Sequence, residues 1–70
     1  MNISEQIEQV CYKLQISKAE LSRLLQMSPQ SFNGMMKRES FTISELEHIA
    51  EVLDIKFEHS FTLQNGERIE

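Results

Sequence analysis

Hydrophobic residues near the start of the chain recur with the spacing of a helix. Ile3, Ile7, Val10 and Leu14 follow one another at intervals of four, three and four residues. This spacing places them along one face of an α-helix, and Asn2 directly before them can cap its first turn. The pattern therefore predicts a first helix with one buried face.

A second, short helix is predicted to begin after Ser17. Ser17 and Glu20 have the spacing of a capping box, in which each side chain accepts a hydrogen bond from the backbone of the other residue. The residues expected to face inward are Leu21, Leu24 and Leu25.

The third helix is predicted to follow a hinge at residues 26–28. Ser28 can accept a hydrogen bond from the free amides of the next turn, and Pro29 takes the first helical position, where its missing N–H costs nothing. The helix is expected to end near Arg38. Its inward residues are predicted to be Phe32 and Met35, with Met36 as a further candidate.

A fourth helix is predicted from two overlapping cap signals. Either Thr42 with Glu45 or Ser44 with Glu47 has the capping-box spacing, and the sequence leaves both alternatives open. The hydrophobic stripe that follows consists of Leu46, Ile49, Ala50 and Leu53.

After Asp54 the hydrophobic period changes from that of a helix to that of a strand. One side of the predicted strand carries Ile55, Phe57, His59, Phe61 and Leu63. Asn65-Gly66 then signals a hairpin with a brief return through Ile69. The predicted fold is mainly α, with a domain over 1–54 and a C-terminal β-hairpin over 55–70 as an extension of the same domain.

An isolated two-stranded hairpin is only marginally stable in water, so this one must pack on the helices, on a second copy, or on both. We expect a homodimer, edge to edge or face to face, through Phe57, His59, Phe61 and Leu63. The alternative is a monomer whose hairpin packs on its own helices.

The net charge of −4 over 70 residues is unevenly distributed. Residues 17–43 carry four basic and two acidic side chains, whereas residues 44–70 carry two basic and seven acidic ones. The first segment is therefore positive by two and the second negative by five, so the positive charge coincides with the hinge and the helices beside it. Four basic residues are a modest footprint for a nucleic-acid surface, and ordinary solvated surface is the alternative interpretation.

Composition excludes several other classes. The longest apolar run, Val10-Cys11-Tyr12, is too short to span a membrane, and no basic leader precedes it, so we expect a cytoplasmic, full-length chain. The single cysteine cannot form an internal disulfide, and Cys11 is expected to be a small buried thiol. No zinc spacing, paired carboxylates, glycine-rich phosphate loop or activated nucleophile is recognisable. We therefore expect no enzyme activity, metal, cofactor or small-molecule ligand.

The two helices joined by the hinge carry a family resemblance. The stretch Lys18–Arg38 resembles the helix-turn-helix of the Xre family, the Cro and phage-repressor type, and Ser44–Asp54 is similar to the fourth helix of these proteins. The positions that match the family pattern are Leu21, Ser22, Met27, Ser28, Phe32 and Met35. The resemblance covers residues 3–55 and implies a four-helix, lambda-repressor-like domain.

Details outside the hinge extend the resemblance. The runs SPQSFN and KRESFT, with the later hairpin, resemble small stand-alone members found in bacteria and their mobile elements. Two positions depart from the pattern. Gln26 stands where the family usually has glycine, and so must adopt positive φ or let the turn close differently. Gly34 stands where the family often has a side chain that touches bases.

The resemblance implies a sequence-specific DNA-binding transcriptional regulator, expected to be a repressor, that places its third helix, about 28–38, in the major groove. The predicted base contacts are Pro29, Gln30 and Asn33, because amides match the N7 and N6 groups of adenine and proline can touch a thymine methyl. The predicted phosphate contacts are Lys18, Arg23, Ser28, Ser31, Lys37 and Arg38, with Ser40 and Thr42 as further candidates.

A second function from another class stays open. The chain would then keep the helix-turn-helix shape but bind another protein through its acidic C-terminal half and an exposed strand edge. His48 is expected to face solvent, and His59 to lie on the apolar face of the strand as a core or interface residue.

Overall fold

Four helices precede three short strands in the computed structural model, which describes residues 2–58 and 61–69. The helices are α1 (Ile3–Leu14), α2 (Lys18–Leu24), α3 (Pro29–Arg38) and α4 (Ile43–Val52). The strands are β1 (Lys56–Phe57), β2 (Phe61–Thr62) and β3 (Arg68–Ile69), paired antiparallel in the order β1-β2-β3. The mainly helical fold predicted from the sequence is confirmed.

Each helix begins at the predicted polar cap. Asn2, Ser17, Ser28 and Thr42 each accept a hydrogen bond from the backbone N–H three residues further on. At Thr42 the Glu45 carboxylate completes the box, so this alternative for the start of α4 is correct and the later serine is not the cap. The predicted capping box at Ser17 is half formed. The Glu20 N–H donates to the Ser17 Oγ at 3.0 Å, but the structure has no return bond from the Ser17 N–H to the Glu20 carboxylate.

One hydrophobic core joins the four helices to the sheet. Phe32 from α3 and Phe61 from β2 are its largest fully buried side chains. The other members are Ile7, Val10, Cys11, Leu21, Met36, Leu46, Ile49, Ala50, Leu63 and Ile69. The hairpin therefore contributes to the same core as the helices. This contribution helps so small a chain to form a hydrophobic core.

Two predictions of inward residues need correction. Leu24 was expected to face the core but is 45% exposed, whereas Ser22 is 0% exposed. The buried side of α2 is centred on Leu21 and Ser22, so Leu24 lies at the edge of this side and is partly exposed to solvent. In α3, Met36 is buried and Met35 only half-buried, because Met36 lies one turn after Phe32 on the same face.

The prediction of one continuous strand after Asp54 is wrong. The chain reverses between β1 and β2, which pair with Phe57 opposite Phe61, and the two rings lie 4.9 Å apart between centroids. Directly paired residues lie on the same face of a sheet, and Phe57 and Phe61 are four positions apart. Every second residue therefore still faces the same side after the reversal, as it would in a single strand. The predicted position of His59 lies outside the described residues.

The second reversal occurs where the Asn65-Gly66 signal predicts it. The Leu63 carbonyl accepts from the Gly66 N–H at 2.9 Å, and the Leu63 N–H donates to the Glu67 carbonyl at 2.8 Å. Gly66 has a φ of 91°. These bonds define a three-residue loop that ends in a left-handed glycine, a common hairpin connection.

The residues predicted for dimerisation are largely used within one chain. Phe61 is 0% and Leu63 8% exposed, and both belong to the core, while Phe57 is half-buried. In this conformation Phe61 and Leu63 offer no surface for a face-to-face contact with a second copy. The hairpin packs on its own helices, as the monomer alternative predicts.

Every helix is followed by a left-handed residue that is not glycine. The φ angles are 57° at Gln15, 59° at Gln26, 51° at Glu39 and 56° at Asp54. After each of them, the next N–H donates to the carbonyl five residues back, at 2.9 to 3.2 Å. This is the bond of the Schellman motif, which stops a helix abruptly. The positive φ expected at Gln26 is thus one of a set of four.

Gln15→Gly is expected to raise the free energy of unfolding by about 1 kcal/mol, because glycine lacks the Cβ that makes a left-handed conformation unfavourable. Glu47→Gly, at an exposed position within α4, is the matched control and is expected to lower it by about 1 kcal/mol. Urea unfolding followed by circular dichroism measures both. A Gln15→Gly variant less stable than the unchanged chain would contradict the interpretation.

Candidate nucleic-acid interface

The turn between α2 and α3 fixes the direction in which α3 leaves the domain. The Met27 N–H donates to the Ser22 carbonyl at 2.9 Å, and the Gln26 N–H donates to the Arg23 carbonyl at 3.0 Å. Met27 is half-buried against the core, and Ser28 then caps the next helix. Because backbone bonds and an apolar contact both hold the turn, α2 and α3 form a defined pair.

The inner side of α3 is anchored in two ways. Phe32 and Met36 insert into the core. The Ser4 hydroxyl of α1 also donates to the Met36 carbonyl at 2.6 Å. In a continued helix the Ser40 N–H would donate to the Met36 carbonyl. Here it donates to the Met35 carbonyl instead. Ser4 therefore satisfies a carbonyl left over at the helix end and ties α1 to α3.

The predicted base contacts lie on the outer side of α3. Pro29, Gln30 and Asn33 are all exposed, and Gln30 and Asn33 are three residues apart in a regular helix, so they are neighbours on its surface. The structure thus places the two amides together at the N-terminal half of α3, with no other element of the described chain covering them.

The N-terminus of α3 has positive electrostatic character. Its first turn contains no acidic residue. The Ser28 Oγ accepts from the Ser31 N–H at 3.1 Å, and the Ser28 hydroxyl donates to the Ser31 Oγ at 3.0 Å. The Ser31 hydroxyl retains its own proton to donate outward. The partial positive charge of the helix dipole therefore faces an exposed surface with donors beside it, which suits a phosphate.

Two of the predicted phosphate contacts share a groove with Asn33. Lys18 at the start of α2 and Lys37 near the end of α3 line this groove together with Asn33, Ser4, Glu8 and Met36. Glu8 opposes the cations, because its Oε2 lies 3.2 Å from the Lys18 Nζ. The ammonium group of Lys18 is thus partly neutralised within the chain.

The remaining predicted phosphate contacts are exposed but differ in setting. Arg23 lies in the last turn of α2, Arg38 ends α3 and Ser40 follows in the next connection. The backbone N–H of Thr42 donates to Glu45, and its Oγ1 accepts from the Glu45 N–H, so Thr42 is engaged as a cap. Only its hydroxyl proton is left over for an external acceptor.

Sequence reasoning missed Ser4 and Glu8 as part of this surface. Both belong to α1, more than twenty positions before α3, and no local spacing connects them with it. It also missed the position of the Arg38 side chain, which folds back over Gly34. The spacing of these two residues could have indicated it, because residues four apart on a helix are neighbours on its surface.

Two candidate residues outside this surface, Cys11 and His48, lie as predicted, the first buried and the second exposed. Cys11 is buried, and burial raises the pKa of its thiol above the ordinary value, while Lys18 opposes that rise and Glu8 adds to it. His48 is exposed.

In residues 2–58 and 61–69 no helix is long and apolar enough to cross a membrane. Across the same residues no group of three histidine, cysteine or acidic side chains could hold a metal ion.

Comparison with known proteins identifies a family for this chain. No curated protein and no solved structure matches the chain. A family model described as the Cro/C1-type HTH DNA-binding domain matches residues 6–59. The match covers more than half of the chain, including the α2–turn–α3 unit and the cap residues on which α3 begins. The chain therefore belongs to the Cro/C1-type HTH DNA-binding domain family.

Proposed function

We propose that this protein is a sequence-specific transcriptional repressor that inserts α3 into the DNA major groove. The observation that carries the proposal is the outer face of α3, where Pro29, Gln30 and Asn33 are exposed while Phe32 and Met36 hold the helix on the core. An α-helix fits the width of the major groove, and residues in its first two turns reach the base edges. A cytoplasmic location remains a prediction.

The proposed division of labour follows from side-chain chemistry. The amides of Gln30 and Asn33 each offer a donor and an acceptor, which match the N6 and N7 groups of adenine. Pro29 presents a CH₂ surface to a thymine methyl. The proposed phosphate contacts surround this face and orient the helix without specifying sequence: Lys18, Arg23, Ser28, Ser31 and Lys37, with Ser40 and Thr42 at the far end.

We also propose that the active form is a homodimer through the C-terminal sheet. Because Phe61 and Leu63 belong to the core of one chain, the proposed contact is edge to edge rather than face to face. The strand order leaves β1 and β3 at the edges of the described sheet, where backbone groups can pair with a second copy. Two copies of α3 would then meet an inverted repeat, about one helical turn apart.

A specific observation favours a second candidate function. Lys18 is paired with Glu8, which reduces an already modest positive surface. A chain with little affinity for DNA could instead bind a protein through its acidic C-terminal half and its sheet edge. Weak, salt-insensitive DNA binding together with capture of one specific protein would favour this alternative, whereas strong DNA binding that falls steeply with salt favours the repressor.

Gln30→Ala is expected to reduce discrimination at one base position by about 1 to 3 kcal/mol. Lys37→Ala is expected to weaken binding to all sequences equally and to reduce the salt slope by about 0.9. Fluorescence anisotropy on a duplex selected from a random pool measures both. The proposal fails if Gln30→Ala leaves the site preference unchanged and Lys37→Ala leaves the salt slope unchanged.

Glu8→Gln is expected to increase DNA affinity several-fold at low salt. The change releases Lys18 from its ion pair and removes a negative charge beside the groove, so the salt slope should steepen by up to about 0.9, one phosphate contact. Glu51→Gln, which removes the same charge from α4, is the matched control with a smaller effect. Equal effects of the two changes would show that Lys18 does not contact phosphate.

Sedimentation velocity at tens of micromolar is expected to show a species with twice the mass of one chain. Hydrogen exchange should then protect the backbone amides of one edge strand more strongly as concentration rises, because pairing with a second copy takes those amides out of water. A single species with the mass of one chain across this concentration range would remove the dimer proposal.

A further inference from the structure

The outer face of α3 contains a glycine in the middle of the helix. Gly34 lies four residues after Gln30 and one after Asn33, so it continues the surface formed by the two amides. Glycine within a helix is unfavourable by about 1 kcal/mol relative to alanine. Its φ is an ordinary helical one, since it is not among the residues with positive φ, so the backbone of the helix does not require glycine here.

The guanidinium group of Arg38 lies over Gly34, close enough to be crowded by a side chain at that position. A Cβ built on Gly34 would lie 3.1 Å from Arg38 Nη1 and 3.7 Å from Cζ and Nη2. Side chains on a helix lean toward its N-terminus, so Arg38 reaches one turn back along α3. The guanidinium is therefore displaced from the C-terminal end of the helix toward the amides.

We propose that Arg38 contacts a base rather than a phosphate, that the base is guanine, and that Gly34 is the positioning residue that makes room for it. The proposal rests on the proposed function of α3. Arginine presents a rigid fork of donors that matches the O6 and N7 acceptors of guanine, which adenine cannot offer as a pair. Gly34 provides the flat helix surface against which that fork lies.

The geometry also predicts where the guanine lies. The guanidinium sits beside residue 34, which is four residues and about 6 Å along the helix from Gln30. This corresponds to about two base-pair steps. The recognised half-site should therefore contain a guanine within about two base pairs of the adenine bound by Gln30.

The test compares four chains on duplexes selected from a random pool by the unchanged protein. Arg38→Ala removes the fork and one positive charge, so we expect the preference for guanine to fall about tenfold in addition to a weakening of all duplexes like that of Lys37→Ala. Gly34→Ala should reduce the same preference while making the helix more stable, since its Cβ would stand 3.1 Å from Arg38 Nη1 and shift the guanidinium. Lys37→Ala is the control and should weaken all duplexes equally.

The outcomes separate this inference from the function on which it rests. If the unchanged chain enriches no sequence, the proposed function fails and the inference with it. If it enriches a site without guanine near the adenine, or if Arg38→Ala keeps the guanine preference, the inference alone is overturned. Thermal unfolding of each variant identifies any loss caused by misfolding. Loss of preference in a Gly34→Ala chain at least as stable as the unchanged one supports the positioning role.

Discussion

The abrupt ending of each helix is the constraint on which this structure depends. Three or four residues separate consecutive helices, so a helix that continued for even one more turn would remove the connection to the next. Each stop uses a left-handed residue and a bond to the carbonyl five residues back. At Ile16, Met27 and Ile55 an apolar residue after the stop also packs on the core. The stop after α2 sets the direction of α3, and so the presentation of the amides.

Local patterns were sufficient for the helices because caps and hydrophobic stripes are local. The starts at Asn2, Ser17 and Ser28 agree with the prediction, and Thr42 is one of the two starts that the sequence left open for α4. The predicted stripes of α1 and α4 pack on the core. Leu24 could not be placed from spacing alone, because a helix of seven residues is too short for its stripe to define the centre of the buried face. The reversal before β2 was hidden because pairing Phe57 with Phe61 preserves the alternation of a single strand.

In the candidate site, too, the local features could be predicted from the sequence, whereas the contacts between distant residues could not. The exposure of Gln30 and Asn33 follows from their position away from the face of the helix that carries Phe32 and Met36, and the sequence was enough to predict it. The Glu8–Lys18 pair and the bond from Ser4 to Met36 join residues that are distant in sequence, and only the packing of α1 beside α2 and α3 brings them together. A count of basic residues therefore overstates the positive surface, since it includes a cation that the chain has already partnered.

Ser22 has a consequence that reaches beyond its own helix. It is completely buried in the helix that packs against α3, and its hydroxyl donates to the Ala19 carbonyl at 2.7 Å, so it adds almost no volume and leaves no polar group unsatisfied. A larger side chain at this position would have to push the two helices apart, because a close-packed interior has no spare room. The volume of one small residue on α2 thereby sets where α3 stands on the domain, and with it the exposed pair Gln30 and Asn33.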